Sequence, residues 1–363
     1  MSVLNITPLK GIILVSTIMV SLLSYAHNQV QAQFVPLDDA SGPPKLKLLK
    51  TIPSAPLDKI ENQALIQRAP AVDTQAKSQD EVEVKEDPDA WLAFGAFQRG
   101  QYLTAMELAL PRAQLGDPAA QTLLAELFAE GFGVGRSMDD AVFWYDQAAK
   151  NGDPSAQYKL ALLLTDGKYI KRDEARAREL MKNAAISGNP KAQFNYGQLI
   201  VSENSGSAGI DQALPFFEKA AARGIADAQY ALSQIYANAL NVTDAKRALA
   251  RRHLFAAARA GYDTARLDLA IWLIDGVGGE RDFDAGFEWM SLAALKGNVI
   301  AQNKLAHLYI NGIGTEGDPV QAGQWYIISR RAGLEDGRLE DFYQGLTVQE
   351  QKQALEAAND SRF

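Results

Sequence analysis

Along residues 117–333 apolar side chains recur at three- and four-residue intervals, interrupted by short polar or glycine-bearing stretches. That spacing lines one side of an α-helix. Leu124 with Phe128, Leu160 with Leu164, Leu232 with Tyr236, Leu269 with Leu273 and Leu305 with Tyr309 mark the first helices of successive pairs. In the same register stand small residues, Ala125, Ala161, Gly197, Ser233, Ala270 and Ala306, where a second helix can approach closely. The second helices carry a bulky residue near the middle: Trp144, Leu180, Phe216, Trp289 and Trp325. Asp117-Pro118, Asp153-Pro154 and Asn189-Pro190 supply an N-cap acceptor and then a proline where no donor is needed. Gly131, Gly167, Gly276 and Gly312 close first helices by permitting a left-handed turn.

The pattern repeats as spelling. Ala-Gln occurs at 120–121, 156–157, 192–193, 228–229 and 301–302, with Ala265-Arg266 in the remaining slot. A closing glycine stands at Gly116, Gly152, Gly188, Gly224, Gly261, Gly297 and Gly333, at spacings of 36, 36, 36, 37, 36 and 36. One helix pair cannot bury its apolar side alone, whereas stacked pairs bury one another's. The reading is six units, 117–152, 153–188, 189–224, 225–261, 262–297 and 298–333.

The first helices A-Q-x-x-L-A/G-x-x-Y/F/L, the loops "GFGVG", "DGVGG" and "NGIG", and the W/F-x-x-x-A second helices resemble the Sel1-like repeat family. That family is related to the tetratricopeptide repeat, with a longer loop inside each pair. The resemblance covers about two-thirds of the chain. It implies an all-α fold, a right-handed superhelical solenoid of stacked helix–turn–helix repeats. It also implies a binding role and is silent on activity.

Both ends are variants. Residues 87–116 have the W-x-x-F-G opening and shorter length of a tetratricopeptide unit. Residues 334–363 begin another first helix and end on a polar helix opened by a capping box, Thr347 with Glu350, that should shield the last open side. Two inner units depart from the pattern. The third has a Ser/Gly-rich loop at Ser202–Gln212, and the fourth places His253 where others carry Trp or Phe. Both are read as tolerated loop irregularities in preference to a bend or a docking point.

Composition narrows the classes. Hydrophobic residues make up 47 % of 363, enough for a continuous core, and the formal net charge of −8 argues against nucleic acid. Cysteine is absent, which removes disulfides, thiolate metal sites and catalytic thiols. Lys10 precedes the apolar run Gly11–Ala26, with small residues at Ala26 and Ala32. This reads as a signal peptide within 1–32, cleaved after Ala26 or Ala32, and places the chain in the periplasm or outside the cell. The alternative is an uncleaved inner-membrane anchor, the one membrane contact expected. Residues 33–86, rich in Pro, Ser, Gln and charge, read as a disordered linker.

The search for chemistry returns little. The three histidines, His27, His253 and His307, fall in no metal-ligand or catalytic spacing. "GFGVGR" lacks the strand that precedes a phosphate loop, and "DGVGGERDFD" lacks the alternating ligands of a calcium loop. No cofactor, metal or catalytic residue is assigned. Sorting first-helix residues by side gives three columns expected on the concave surface. One is Tyr158, Phe194 and Tyr230; the second is Glu126, Leu162, Gln198, Gln234, Ile271, His307 and Tyr343; the third is Glu130, Asp166, Ser202, Asn238, Asp275 and Asn311. Rings flanked by amides and carboxylates suit an extended peptide. The bland alternative packs the rings between repeats and uses the Asp/Asn residues on helix ends.

The resulting expectation is an exported, non-enzymatic scaffold or adaptor that holds a protein or peptide of the cell envelope. The resemblance implies roles in regulating envelope complexes or membrane sensors. Glycan or cell-wall binding is the runner-up, favoured if the rings lie flat to solvent. An envelope hydrolase ranks third.

Overall fold

The computed structural model describes residues 88–239 and 242–361, so the expected signal segment and linker at 1–86 lie outside it. Among the described residues every regular element is a helix. An N-terminal pair, α1 (Pro88–Gln98) and α2 (Tyr102–Gln114), comes first. Then follow α3 (Pro118–Glu130) with α4 (Met138–Lys150), α5 (Pro154–Asp166) with α6 (Glu174–Ile186), and α7 (Pro190–Glu203) with α8 (Ser207–Ala222). In the next pair α9 (Ala226–Asn238) is joined to α11 (Ala250–Arg259) through one extra turn, α10 (Asp244–Arg247). The array ends with α12 (Asp263–Asp275) and α13 (Phe283–Leu295), α14 (Val299–Asn311) and α15 (Pro319–Arg331), and the closing α16 (Gly337–Gln344) and α17 (Val348–Asp360).

Each first helix from α3 to α14 packs on its own second helix and on the second helix of the pair before. This makes the core continuous. One buried cluster runs from Ala161 in α5 through Met181, Tyr196, Phe217 and Leu232 to Ala250 in α11. The small slots read from the sequence lie at the closest approach. Ala125, Ala161, Ser233, Ala270 and Ala306 are fully buried, and a Cβ on Gly197 would stand 2.8 Å from the Phe217 ring.

The Ala-Gln signature now has a physical meaning. The alanines are buried, and Gln121, Gln157, Gln193, Gln229 and Gln302 each donate Nε2 to a carbonyl eight residues back, in the last turn of the preceding second helix. A helix end leaves carbonyls without intrahelical donors, and an amide from the next repeat supplies one. In the remaining slot Arg266 pairs instead with Asp263 at 2.8 Å.

The loop motif is equally specific. Its second glycine lies against the start of the previous second helix. Gly314 has φ +67°, and a Cβ there would stand 2.1 Å from the Phe283 carbonyl oxygen. The N-caps behave as read: Asp153 accepts from the Ala156 amide at 2.7 Å and Asn189 from Ala192 at 3.0 Å. Thr347 and Glu350 form a reciprocal capping box, and α17 lies on α15 with Ala354 buried.

The irregular units keep the packing order of the others. In the third, α7 runs to Glu203 and only three residues precede α8. In the fourth, two arginines fasten the altered loop and the loop of the next unit. Arg247 donates to the Ala237 and Ala239 carbonyls at the end of α9, and Arg251 to those of Trp272, Val277, Gly279 and Glu280 around the next loop.

The main knob of the second helices is one residue later than the bulky position named from sequence. Tyr145, Met181, Phe217, Leu254, Met290 and Tyr326 are all buried. Trp144, Leu180 and Phe216 are only half-buried, whereas Trp289 and Trp325 are buried.

Candidate protein-binding face

The first helices stand side by side, and polar struts join neighbours across this face. Lys159 in α5 reaches Glu126 in α3 at 3.2 Å. Asn195 in α7 donates to the Tyr158 hydroxyl in α5 at 3.3 Å. Asp268 in α12 accepts from the Tyr230 hydroxyl at 2.8 Å and from Gln234 Nε2 at 3.4 Å, both in α9. Lys159, Asn195 and Asp268 share one register position, one residue after the aromatic column. At that position α9 carries Ala231, which is fully buried and has no polar group to reach back. The seam between α7 and α9 therefore lacks a strut from this column.

The sequence-derived candidates separate against this frame. Tyr230 is a correction: it is 2 % exposed, packed at a tilt against Tyr262 with ring centroids 4.8 Å apart, and belongs to the interior. Burial, then the Asp268 carboxylate beside it, pushes its hydroxyl far above the ordinary value, so it stays a donor. Tyr158 and Phe194 are half-buried, the first holding Asn195 and the second packed on Phe217. None of the three presents an open ladder rung. Tyr262 at the α12 N-cap packs on Tyr230, whereas the N-cap in the same register one pair after Tyr158 is the shorter Asn189.

Glu126 is occupied by Lys159 and by the Tyr145 hydroxyl. Gln234 is half-buried and engaged with Asp268. His307 serves the C-terminal cap. Its Nε2 lies 2.9 Å from Asp336 Oδ2, which also accepts from Asn303, while Asp336 Oδ1 caps α16. Burial alone would raise the Asp336 carboxyl, but the His307 bond and its other donors hold it below the usual carboxylate range. Asn238 and Asn311 spend their amides on the carbonyls of Gln234 and His307 four residues earlier, at 3.0 and 2.7 Å, so they finish their own helices. Asp275 has its carboxyl raised by desolvation, against the pull of Lys304 and Arg281. Glu130 and Asp166 are exposed at helix ends and take part in no ion pair.

Gln198 remains. It is half-buried in α7, beside the seam that lacks a strut, and its amide has no hydrogen-bond partner within the chain. In the same column on α5, Leu162 is 38 % exposed. A free donor–acceptor pair beside an open leucine and two half-buried rings can hold a peptide group and one apolar side chain. Sequence reading named Gln198 and Leu162 but missed the struts. The signal was available: Lys159, Asn195 and Asp268 are polar residues one step from an otherwise apolar stripe. Among the described residues no group of His, Asp or Glu is placed to hold a metal ion.

The Sel1 repeat family matches residues 118–153, 154–189, 190–225, 226–262, 264–298 and 299–334. A solved Sel1 repeat protein from Oxalobacter formigenes is 26 % identical, with a TM-score of 0.55 over 69 % of this chain and all of that one. A protective antigen of uropathogenic Escherichia coli is similar in fold, at 23 % identity and a TM-score of 0.51 over 75 % of this chain and 68 % of that one. Chitin synthase regulatory factor 3 of Schizosaccharomyces pombe (strain 972 / ATCC 24843) is 30 % identical over 133 residues, 35 % of this chain and 14 % of that protein's length.

Proposed function

The chain belongs to the Sel1 repeat family, and from that premise we propose that it is an exported scaffold or adaptor whose first-helix face holds a segment of another protein. Proteins of this family generally mediate protein–protein interaction, and their solenoids are typically non-catalytic. The observation that carries the site is the interruption of the strut column at Ala231, which leaves the Gln198 amide free beside Leu162. The export signal read in residues 1–32 supports a partner in the cell envelope, and the net charge of −8 favours one with basic segments. The name of the fission-yeast relative, a regulatory factor, fits an adaptor that regulates a larger complex.

The competing readings lose their supports. Glycan stacking on the first-helix face needs rings lying open to solvent there, and Tyr230 is buried while Phe194 packs on Phe217. A histidine-dependent serine hydrolase needs a histidine bonded to its serine hydroxyl. His253 is engaged by Gln229 and His307 by Asp336.

The test is capture from envelope extract by the chain and by a Leu162→Glu, Gln198→Ala variant whose circular dichroism matches the parent. The proposal expects a protein retained by the parent and lost by the variant. Equal retention would move the site off this face.

A further inference from the structure

The two ends of the array are finished differently. At the C-terminal end α17 covers α15 and turns mostly charged and amide residues outward, with Val348 and Leu355 the exceptions. At the N-terminal end the arrangement is inverted. The inner sides of α1 and α2 are lined by Ala93, Ala96, Ala105, Ala109 and Ala113, all 3 % exposed or less, with Phe97 packed inward on Tyr102 and Phe132, while the other large apolar residues of α1 point away. Trp91, Leu92 and Phe94 are 63, 51 and 48 % exposed, and Leu103 on α2 is 60 % exposed. A helix pair that ended the array against water would place its bulk inside and its small residues outside. This pair is built to bury a second side.

We propose that the outer side of α1 pairs with the same side of a second copy, giving a two-fold dimer joined through the N-terminal helix pairs. The area fits. By the usual size of such side chains the three α1 residues leave on the order of 350 Å² open. A stable interface takes roughly 800 Å² from each partner, a little over half of it apolar. The three side chains thus supply about three-quarters of the apolar part of one half of such a contact. The charge fits as well: residues 91–98 contain no ionisable side chain, so two copies meet here without repulsion despite a net charge of −8 on each. A patch with no ionisable side chain of its own offers little to a charged partner, whereas an isologous pairing asks only that the patch match itself.

Sedimentation of the full chain over about 1–100 µM tests this, since a standard interface of modest quality dissociates in that range. The parent should pass from one chain to two, and Trp91→Glu should weaken the association at least tenfold with an unchanged circular dichroism spectrum. Because the chain has no cysteine, Phe94→Cys introduces one reporter thiol. A short bismaleimide should join two copies through it, and should not do so through Lys352→Cys on α17. A parent that stays single over the whole range overturns the proposal. So does a dimer that survives Trp91→Glu or fails to cross-link at position 94, since either places the contact elsewhere.

Discussion

At the scale of single residues, two positions carry predictions of opposite kind. His253 is half-buried, with Nδ1 2.5 Å from the Gln229 side-chain oxygen. Gln229 commits its Nε2 to the Ala221 carbonyl, so its oxygen faces the ring and Nδ1 carries the proton. Burial, and then Arg252, hold the His253 pKa below 6.5, with Glu218 pulling weakly the other way. The unfolded chain therefore binds more protons between that lowered value and 6.5, and stability falls as pH drops through this window. Urea midpoints should decline from pH 7 to about 5 in the parent, and His253→Gln should flatten that decline. The lowered carboxyls of Glu218, Asp146 and Asp336 act lower on the scale. Their contribution is complete above their unfolded values, 4.5 for Glu and 3.8 for Asp, and is lost as pH falls through their folded ones. The second position is Gly314, whose left-handed backbone and contact with Phe283 forbid a Cβ. Gly314→Ala should cost about 2 kcal/mol or more in urea unfolding. Gly317→Ala, where the nearest atom would be 3.5 Å away, should be close to neutral.

At the scale of elements, much was legible because repetition averages out local ambiguity. N-cap residues, closing glycines and the small slots recur at fixed spacing, and each has one physical use. Burial of particular faces was harder. Tyr158 and Tyr230 hold the same register position, yet Tyr230 is covered by Tyr262 and bound to Asp268 while Tyr158 stays partly open. The knob position slipped by one residue for a related reason, since Trp144 and Phe216 lie at the half-buried margin of the pair, Phe216 against the Tyr196 ring, while Tyr145 and Phe217 fill its interior. The Gln rungs give the prediction proper to this scale. Gln193→Leu removes the bond to the Ala185 carbonyl that ties α7 to α6, and should cost roughly 1 kcal/mol. Hydrogen exchange should quicken in those two helices and not in α14 or α15, because repeats couple to their nearest neighbours.

For the molecule as a whole, what matters is where the repeating interface is completed and where it is left open. The capping pair α16 and α17 completes it, so truncation after Gly345 should expose the side of α15 around Gly323, lower the thermal midpoint and promote aggregation. Along the first-helix face the strut column ties α3 to α5, α5 to α7 and α9 to α12, and it lapses at Ala231 between α7 and α9; Lys304, at the same position of α14, makes no bond back to α12. A partner segment that uses this lapse should protect the helices on either side of Gln198 and leave the loop edges unchanged. Hydrogen–deuterium exchange of the chain, alone and with its captured partner, reads this directly. The account predicts slowed exchange confined to residues 158–166 and 191–203 and the facing turn of α9. Protection in the α12–α13 loop, on the second helices or nowhere in the array would contradict it.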